Sequence, residues 1–218
     1  NVMDAKEKIA RRIAQEIQNN DVVNLGIGLP TMVANYIPSN IDVTFHSENG
    51  FIGLDGIADT ANADFNIVNA GGTPVTIKNN AAFFDSATSF GLVRGGHVDI
   101  TVLGGLEVDQ EGNLANYMVP GKSIPGMGGA MDLVAGAKKV IVAMTHTVKG
   151  NPKILKHCTL PLTGKGVVNM IITELAVFHV TENGLVLTEI AADTTVEDVL
   201  SLTDASVTVS PSCKKIFE

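Results

Sequence analysis

Aromatic residues and cysteine are scarce in this sequence. Its 218 residues include no tryptophan and only two cysteines, Cys158 and Cys213. Two cysteines cannot form the disulfide framework of a small secreted protein, which favours a reducing compartment. No apolar run is long enough to cross a bilayer, and no secretory signal peptide is recognisable. We therefore expect a cytoplasmic protein with no membrane partner.

Positive charge is scarce as well. The chain has 15 Lys and Arg residues against 23 Asp and Glu residues, which gives a formal net charge of −8. This balance argues against a nucleic-acid-binding surface. The 5 histidines show no metal-ligand spacing with one another or with the cysteines, so we predict no metal site.

Apolar residues and glycine, by contrast, are abundant. Hydrophobic residues make up 45% of the chain, and there are 22 glycines. This composition can build a sizeable core, and no linker interrupts it, so we expect a single domain over residues 1–218. Met3 is the expected natural start, preceded by Asn1 and Val2.

Strand-like and helix-like segments alternate along the chain. β-Rich or mostly apolar runs predict strands at 21–27, 41–47, 98–103, 139–144, 176–180 and 185–190. Helical patterns predict helices at 4–18, 32–37, 130–137, 166–173 and 194–202. The alternation indicates a layered α/β/α fold with a largely parallel sheet, closed near its end by a hairpin at Asn183 and Gly184.

A carboxylate stands on a glycine-containing turn directly after one predicted strand. Ser47-Glu48-Asn49-Gly50 follows the strand that begins at residue 41. In open α/β sheets, ligands bind beyond the carboxyl ends of the strands, so Glu48 is a candidate for chemistry. A second Glu-Asn-Gly, at residues 182–184, is flanked by two strand-like runs, which predicts a tight turn with positive φ and a solvated Glu182. Local sequence alone leaves the same interpretation open for Glu48.

Two glycine segments resemble nucleotide-binding loops but lack required residues. Gly26 and Gly28 follow a strand, yet Thr31 stands where a dinucleotide fingerprint has glycine or alanine. Residues 121–123 lack the earlier glycine of a phosphate loop, because position 116 is asparagine. What remains at the first segment is either a backbone site for a carboxylate or oxyanion, or tight strand-to-helix packing.

A third glycine segment precedes a predicted helix. Gly128 and Gly129 have no Cβ, so a backbone N–H there is open to a substrate carbonyl. The alternative is a structural helix entry, with Asp132 favouring the N-terminal end of the helix dipole.

Residues 45–53, Phe-His-Ser-Glu-Asn-Gly-Phe-Ile-Gly, match the signature of the second, or beta, subunit of the family I, glutamate-type, CoA-transferases. Further segments resemble the same family in the same order, at 24–31, 68–71, 94–99, 114–116 and 120–132. The resemblance runs from about residue 4 to about residue 204. It implies a CoA-transferase-like fold and transfer of CoA between an acyl-CoA and a carboxylate.

The resemblance also implies roles for individual residues. Glu48 corresponds to the nucleophile, and Gly129 to the backbone donor that stabilises the oxyanion formed when a thioester carbonyl is attacked. Contacts to substrate or CoA are expected, in addition, from Asn24, Gly26, Gly28, Ser47, Asn49, Gly128 and Lys122. CoA is then a substrate, and no cofactor is expected.

The glycine-rich signature of the first, or alpha, subunit is absent, which implies that the CoA-transferase alpha subunit is a separate polypeptide in an A2B2 assembly. An acidic chain that acts on polyanionic CoA needs local cations, helix N-termini or that partner to hold the anion. Segments 53–59 and 69–73 look more like transferases acting between acetate or butyrate and acetoacetate. The alternatives are the beta subunit of a succinyl-CoA:3-oxoacid transferase and a non-catalytic subunit of the same fold. Sugar-phosphate isomerases and deaminases share the broad fold but do not explain Ser47-Glu48-Asn49-Gly50.

Overall fold

The computed structural model of the protein describes residues 3–59, 61, 63–122 and 126–216. Asn1, Val2 and Ser123, which entered the sequence analysis, lie outside these residues. The strands, in chain order, are β1 (Val22–Leu25), β2 (Thr44–Ser47), β3 (Phe51–Ile57), β4 (Val75–Phe83), β5 (Ile100–Gly104), β6 (Glu107–Asp109), β7 (Leu114–Ala115), β8 (Lys139–Ala143), β9 (Thr147–Val148), β10 (Asn151–Pro152), β11 (Ile154–Leu155), β12 (Met170–Ile172), β13 (Ala176–Thr181), β14 (Gly184–Ala191) and β15 (Val207–Ile216). The helices are α1 (Ala5–Ala14), α2 (Ser86–Arg94), α3 (Ala130–Gly136) and α4 (Val196–Ser201), and Leu29–Tyr36 forms a 3-10 helix.

A large mixed sheet runs through the described residues in the order β15-β14-β13-β12-β8-β5-β1-β2-β3-β4. Its centre, from β12 to β2, is parallel throughout. Antiparallel strands extend it on both sides, β13 and β14 on one side and β3 and β4 on the other. The central strands are mostly apolar because both of their faces are covered.

Helices cover both faces of this sheet. On one face, Ile9 of α1 and Val33 of the 3-10 helix pack in a common core with Val102 of β5. On the other face, Val93 of α2 and Leu133 of α3 belong to a second core. The layered α/β/α architecture predicted from the sequence is therefore confirmed. No helix in the described ranges is long and apolar enough to cross a membrane.

Several predicted elements differ from the observed ones. The helix predicted at 166–173 is wrong, because residues 170–172 form β12, which lies between β8 and β13 and is buried on both faces. A strand buried on both faces shows no polar alternation and is easily mistaken for a buried helix. The helix after Pro30 is a 3-10 helix rather than an α-helix. Further elements were not predicted: α2, β3, β4, β15 and the short strands β6, β7, β9, β10 and β11.

The hairpin at Glu182-Asn183-Gly184 is confirmed, with two corrections. Its loop residues are Glu182 and Asn183, because Gly184 already pairs with Thr181, and of the three only Gly184 has positive φ, at 102°. It also does not close the sheet, because β15 pairs in parallel with β14 and forms the outer strand.

His146, in the segment between β8 and β9, allows a prediction about the pH dependence of stability. The side chain is fully buried, with Nδ1 3.0 Å from Thr173 Oγ1 and Nε2 2.9 Å from Thr203 Oγ1. Burial lowers its pKa from 6.5 to about 4. The unfolded chain therefore takes up a proton between pH 6.5 and about 4 that the native chain does not, so stability falls as the pH drops through this window.

We expect the free energy of unfolding to fall by about 1.4 kcal/mol per pH unit from this residue alone. Urea unfolding at pH 7 and pH 5 measures it. His146→Gln keeps donor and acceptor groups but does not titrate, so the variant should lose less stability between the two pH values than the wild type. Identical losses in both proteins would contradict the assignment.

Candidate active site

Glu48 lies on the turn that joins β2 to β3. The backbone of this turn requires glycine at position 50, where φ is 134° and a Cβ would stand 2.5 Å from the carbonyl oxygen of Phe84. The Gly50 carbonyl in turn accepts a hydrogen bond from Phe84 N at 2.9 Å. Because β2 belongs to the parallel part of the sheet, Glu48 stands at the carboxyl end of a parallel strand, as the sequence predicted.

Glu48 and Glu182 have the same local context, a possibility that the sequence had left open. Both glutamates lie on turns between antiparallel strands, since β2 pairs with β3 and β13 with β14. The difference between them is what stands opposite in space. Glu182 is exposed, whereas Glu48 is partly buried against the segment that precedes α3.

The Glu48 carboxylate meets Gly129. Glu48 Oε1 accepts a hydrogen bond from the Gly129 N–H at 3.2 Å, between residues 81 positions apart in the chain. Gly129 is the residue that precedes α3, so its N–H is one of the donors that the helix leaves unpaired. A Cβ on Gly129 would lie 2.9 Å from Glu48 Oε2 and 2.6 Å from Cε1 of Phe90. Glycine is therefore required here for close approach.

A cleft of about 910 Å³ opens above this pair. It lies beyond the carboxyl ends of β1, β2 and β5, the place where open α/β sheets bind ligands. Predicted site residues that line it are Asn24, Gly26, Ser47, Glu48, Gly128 and Gly129.

Three other predicted contacts lie outside that lining. Asn49 donates to the carbonyl of Val68 at 2.7 Å. Gly28 is exposed with φ 84°, and a Cβ there would meet nothing within 4 Å, so its conformation alone favours glycine. Lys122 is exposed, next to the undescribed residues 123–125.

The charged side chains that line the cleft are all acidic among the described residues. Among its described lining residues, the charged side chains are Glu48 and Asp55, and there is neither lysine nor arginine. Apolar side chains also line it, and two of them are strongly exposed, Ile27 at 75% and Ile57 at 67%. The residues that the structure describes contain no group of three or more His, Cys, Asp or Glu side chains placed to hold a metal ion.

Two neighbouring residues of α2 touch this site, and neither was predicted from the sequence to belong to it. Ser89 Oγ donates to the main-chain carbonyl of Glu48 at 2.8 Å, and Phe90 borders Gly129. Ser89 lacks the strand-turn-helix context of a nucleophilic serine, so the sequence gives no functional signal at this position. Asp132, assigned a structural role, forms an ion pair with Arg94 at the exposed end of α2.

Comparison with known proteins identifies related sequences over almost the whole chain. The Coenzyme A transferase family matches residues 6–202. The beta subunit of acetate CoA-transferase from Haemophilus influenzae is 59% identical, over 98% of this chain and 96% of its own length. The B-type subunit of succinyl-CoA:3-ketoacid coenzyme A transferase from Helicobacter pylori is 49% identical, over 94% of this chain and 99% of its own.

Solved structures show the same fold. An acyl-CoA transferase of Escherichia coli O157:H7 superposes with a TM-score of 0.79 at 26% identity, and this chain spans 100% of its own length but 44% of that longer chain. Glutaconate coenzyme A-transferase from Acidaminococcus fermentans, at 19% identity and a TM-score of 0.73, covers 97% of this chain and 88% of its own and shares the fold. The chain thus belongs to the Coenzyme A transferase family, as the second (beta) subunit of a family I enzyme that transfers CoA.

Proposed function

We propose that Glu48 carries CoA covalently in a ping-pong transfer between a short-chain acyl-CoA and a carboxylate such as acetoacetate. The observation that supports this most directly is the 3.2 Å hydrogen bond from the Gly129 N–H to Glu48 Oε1 at the floor of the cleft. A carboxylate in this position is accessible from the cleft. A hydrogen-bond donor already faces one of its oxygens, on which negative charge develops during the reaction.

In the first step, the Glu48 carboxylate attacks the thioester carbonyl of acyl-CoA. The C–S bond breaks, CoA leaves as the thiolate, and an acyl–glutamyl anhydride forms. The thiolate then attacks the glutamyl carbonyl, which releases the first carboxylate and leaves a glutamyl-CoA thioester. An acceptor carboxylate runs both steps in reverse, so that no proton is gained or lost and no cofactor is used.

Gly129 acts on the steps that occur at Glu48 itself. When a thiolate or a carboxylate attacks the glutamyl carbonyl, negative charge develops on the glutamyl oxygen. The Gly129 N–H points at one oxygen of this group in the resting chain. The donor therefore needs little reorganisation when the charge develops, which is the condition under which such hydrogen bonds accelerate a reaction most.

Two adjacent glycines allow a prediction about this contact. Gly129→Ala places a Cβ 2.9 Å from Glu48 Oε2 and 2.6 Å from Cε1 of Phe90, at an ordinary φ of −85°, so the carboxylate and the Phe90 ring must both shift. We expect turnover to fall about a hundredfold and the free energy of unfolding to fall by about 1–3 kcal/mol. Gly128→Ala places its Cβ at 3.4 Å from Glu48 Oε1, an ordinary contact, but at a φ of +56°. That variant should lose about 1 kcal/mol of stability and keep more of its turnover. Equal turnover in the two variants would contradict the role of Gly129.

For the acyl group we propose acetate or butyrate, exchanged with acetoacetate. The named acetate CoA-transferase relatives, at 59% and 57% identity, support acetate over the succinyl-CoA relatives at 47% and 49%. The described lining residues of this chain offer no cation to the free carboxylate of a succinyl group, so one would have to come from the partner subunit. In a non-catalytic subunit, the Glu48–Gly129 contact would serve only to cap the first turn of α3.

The partner in this proposal is a separate alpha subunit, in a cytoplasmic A2B2 enzyme. Relatives named as beta or B-type subunits support a separate first subunit. The exposed Ile27 and Ile57 beside the cleft are apolar surface of the kind that a partner covers.

Co-expression with the alpha subunit, followed by an assay of acyl exchange, tests the proposal. Donors are acetyl-CoA, butyryl-CoA and succinyl-CoA, with acetoacetate as acceptor. We expect kcat/KM for acetyl-CoA or butyryl-CoA to exceed that for succinyl-CoA by at least about tenfold, which corresponds to about 1.4 kcal/mol. A preference for succinyl-CoA would favour the alternative substrate, and the absence of all exchange would favour a non-catalytic subunit.

A further inference from the structure

A line of buried polar side chains leads from β1 to the main chain of Glu48. Asn24 Nδ2 lies 3.1 Å from His46 Nδ1 and 3.3 Å from the His46 carbonyl oxygen. His46 Nε2 lies 3.0 Å from Ser89 Oγ, and Ser89 Oγ lies 2.8 Å from the Glu48 carbonyl oxygen. Asn24, His46 and Ser89 are each at most 4% exposed. A buried polar chain of this kind is costly unless every member is satisfied.

The donor and acceptor of each bond follow from the chemistry of the groups. The Asn24 amide nitrogen only donates, and its two hydrogens point to two acceptors of His46, Nδ1 and the carbonyl oxygen. The flipped amide would place Asn24 Oδ1 against that carbonyl oxygen, so it is excluded. With Nδ1 accepting, His46 is neutral and carries its proton on Nε2, which donates to Ser89 Oγ. The Ser89 hydroxyl then donates to Glu48. Burial lowers the pKa of His46, which agrees with a neutral ring.

Ser89 also lies next to a residue that contacts Gly129. The next residue, Phe90, has its ring against Gly129, where a Cβ would be 2.6 Å from Cε1. Consecutive residues of α2 thus contact the main chain of Glu48 and the residue that donates to the Glu48 carboxylate. Glu48 itself follows the last residue of β2, so its carbonyl lies outside the strand and receives this bond from a side chain instead.

We propose that Asn24, His46 and Ser89 are positioning residues. They hold the main chain of Glu48 in the position from which its carboxylate accepts the hydrogen bond of the Gly129 N–H. The inference rests on the proposed role of Glu48 as nucleophile. None of the four hydrogen bonds involves the carboxylate, so their effect is on its placement. A displacement on the order of 1 Å of a reacting group can cost about a hundredfold in rate.

The test uses three variants in the enzyme assembled with the alpha subunit. Ser89→Ala removes the hydroxyl that donates to Glu48, and His46→Phe removes the donor to Ser89. His46→Gln retains a side-chain amide that can accept from Asn24 and donate to Ser89. We expect kcat to fall about tenfold to a hundredfold in the first two variants, with KM for acyl-CoA unchanged. His46→Gln should recover most of the wild-type kcat.

His146 supplies the matched control. Like His46, it is a buried histidine with a hydrogen-bond partner at each ring nitrogen, here two threonine hydroxyls, but it is not among the residues that line the cleft. His146→Gln is expected to change the thermal midpoint and leave kcat unchanged. All rates are measured well below the lowest midpoint of the set, so that loss of folded protein does not enter kcat.

The possible outcomes separate this inference from the proposed function. A raised KM with normal kcat in Ser89→Ala, or a His46→Gln variant no better than His46→Phe, would overturn the positioning role. If His46→Phe does not fold, Ser89→Ala against His46→Gln decides the same question. The proposed function is tested separately, by whether wild-type enzyme forms glutamyl-CoA on Glu48. Formation of that adduct at the wild-type rate in Ser89→Ala would overturn the positioning role alone.

Discussion

Glu48→Ala and Glu48→Gln are expected to abolish CoA transfer by the assembled enzyme. Neither the alanine nor the glutamine side chain can attack a thioester and then carry CoA. Glu48→Asp should be nearly as damaging. It withdraws the carboxylate by about one methylene from the Gly129 N–H, and a displacement of this size is expected to cost about a hundredfold in kcat.

Glu182→Ala is the matched control for these variants. Glu182 stands in the same Glu-Asn-Gly tripeptide and on a turn between antiparallel strands, but it is exposed. Its removal should leave kcat within about twofold, because surface substitutions away from special features change little.

Acyl-CoA without acceptor should, in addition, leave CoA on the wild-type chain as a thioester. Mass spectrometry of the intact chain, followed by mapping to the peptide that contains Glu48, measures it. An adduct elsewhere, or turnover by Glu48→Ala, would contradict the proposed mechanism.

The layered fold was predictable because its central strands are marked by their own residues. Segments such as 98–103 and 139–144 are apolar and β-branched, and the structure places β5 and β8 there, side by side in parallel. The antiparallel extension by β3 and β4 was missed for a physical reason. β4 lies at the edge of the sheet, with mostly exposed or partly exposed residues, so it carries no hydrophobic pattern that can be detected locally.

Only some of the site residues were predictable from the sequence. Those that were stand in short segments with a recognisable pattern, whereas the others reach the site through tertiary packing. Glu48 and Gly129 stand in short segments with glycine requirements of their own, which made them visible in the sequence and its resemblance to a family. Ser89 contributes through one hydroxyl, and Phe90 through one ring edge, at positions set by how α2 packs against α3. A serine in an ordinary helix carries no local signal of such a contact. Only the tertiary structure brings it to Glu48.

The chain purified alone is expected to show no CoA transfer, and activity should appear on mixing with the alpha subunit. The described lining of the cleft has no lysine or arginine, and both of its charged side chains, Glu48 and Asp55, are acidic. The phosphates of CoA would be repelled there rather than bound. The contacts that hold them must then come from the partner subunit or from cations outside this lining.

Exclusion of water leads to the same expectation. An acyl–glutamyl anhydride and a glutamyl-CoA thioester are both open to hydrolysis, so a productive site must be closed. In this chain the cleft opens past Ile27 and Ile57, which are 75% and 67% exposed. Titrating the alpha subunit into a fixed amount of this chain should raise acyl exchange until the two are equimolar. Full exchange by the chain alone would contradict the prediction. Because Glu48 and Gly129 already meet within this chain, the partner is expected to supply CoA contacts and closure of the cleft, while the nucleophile and its donor come from here.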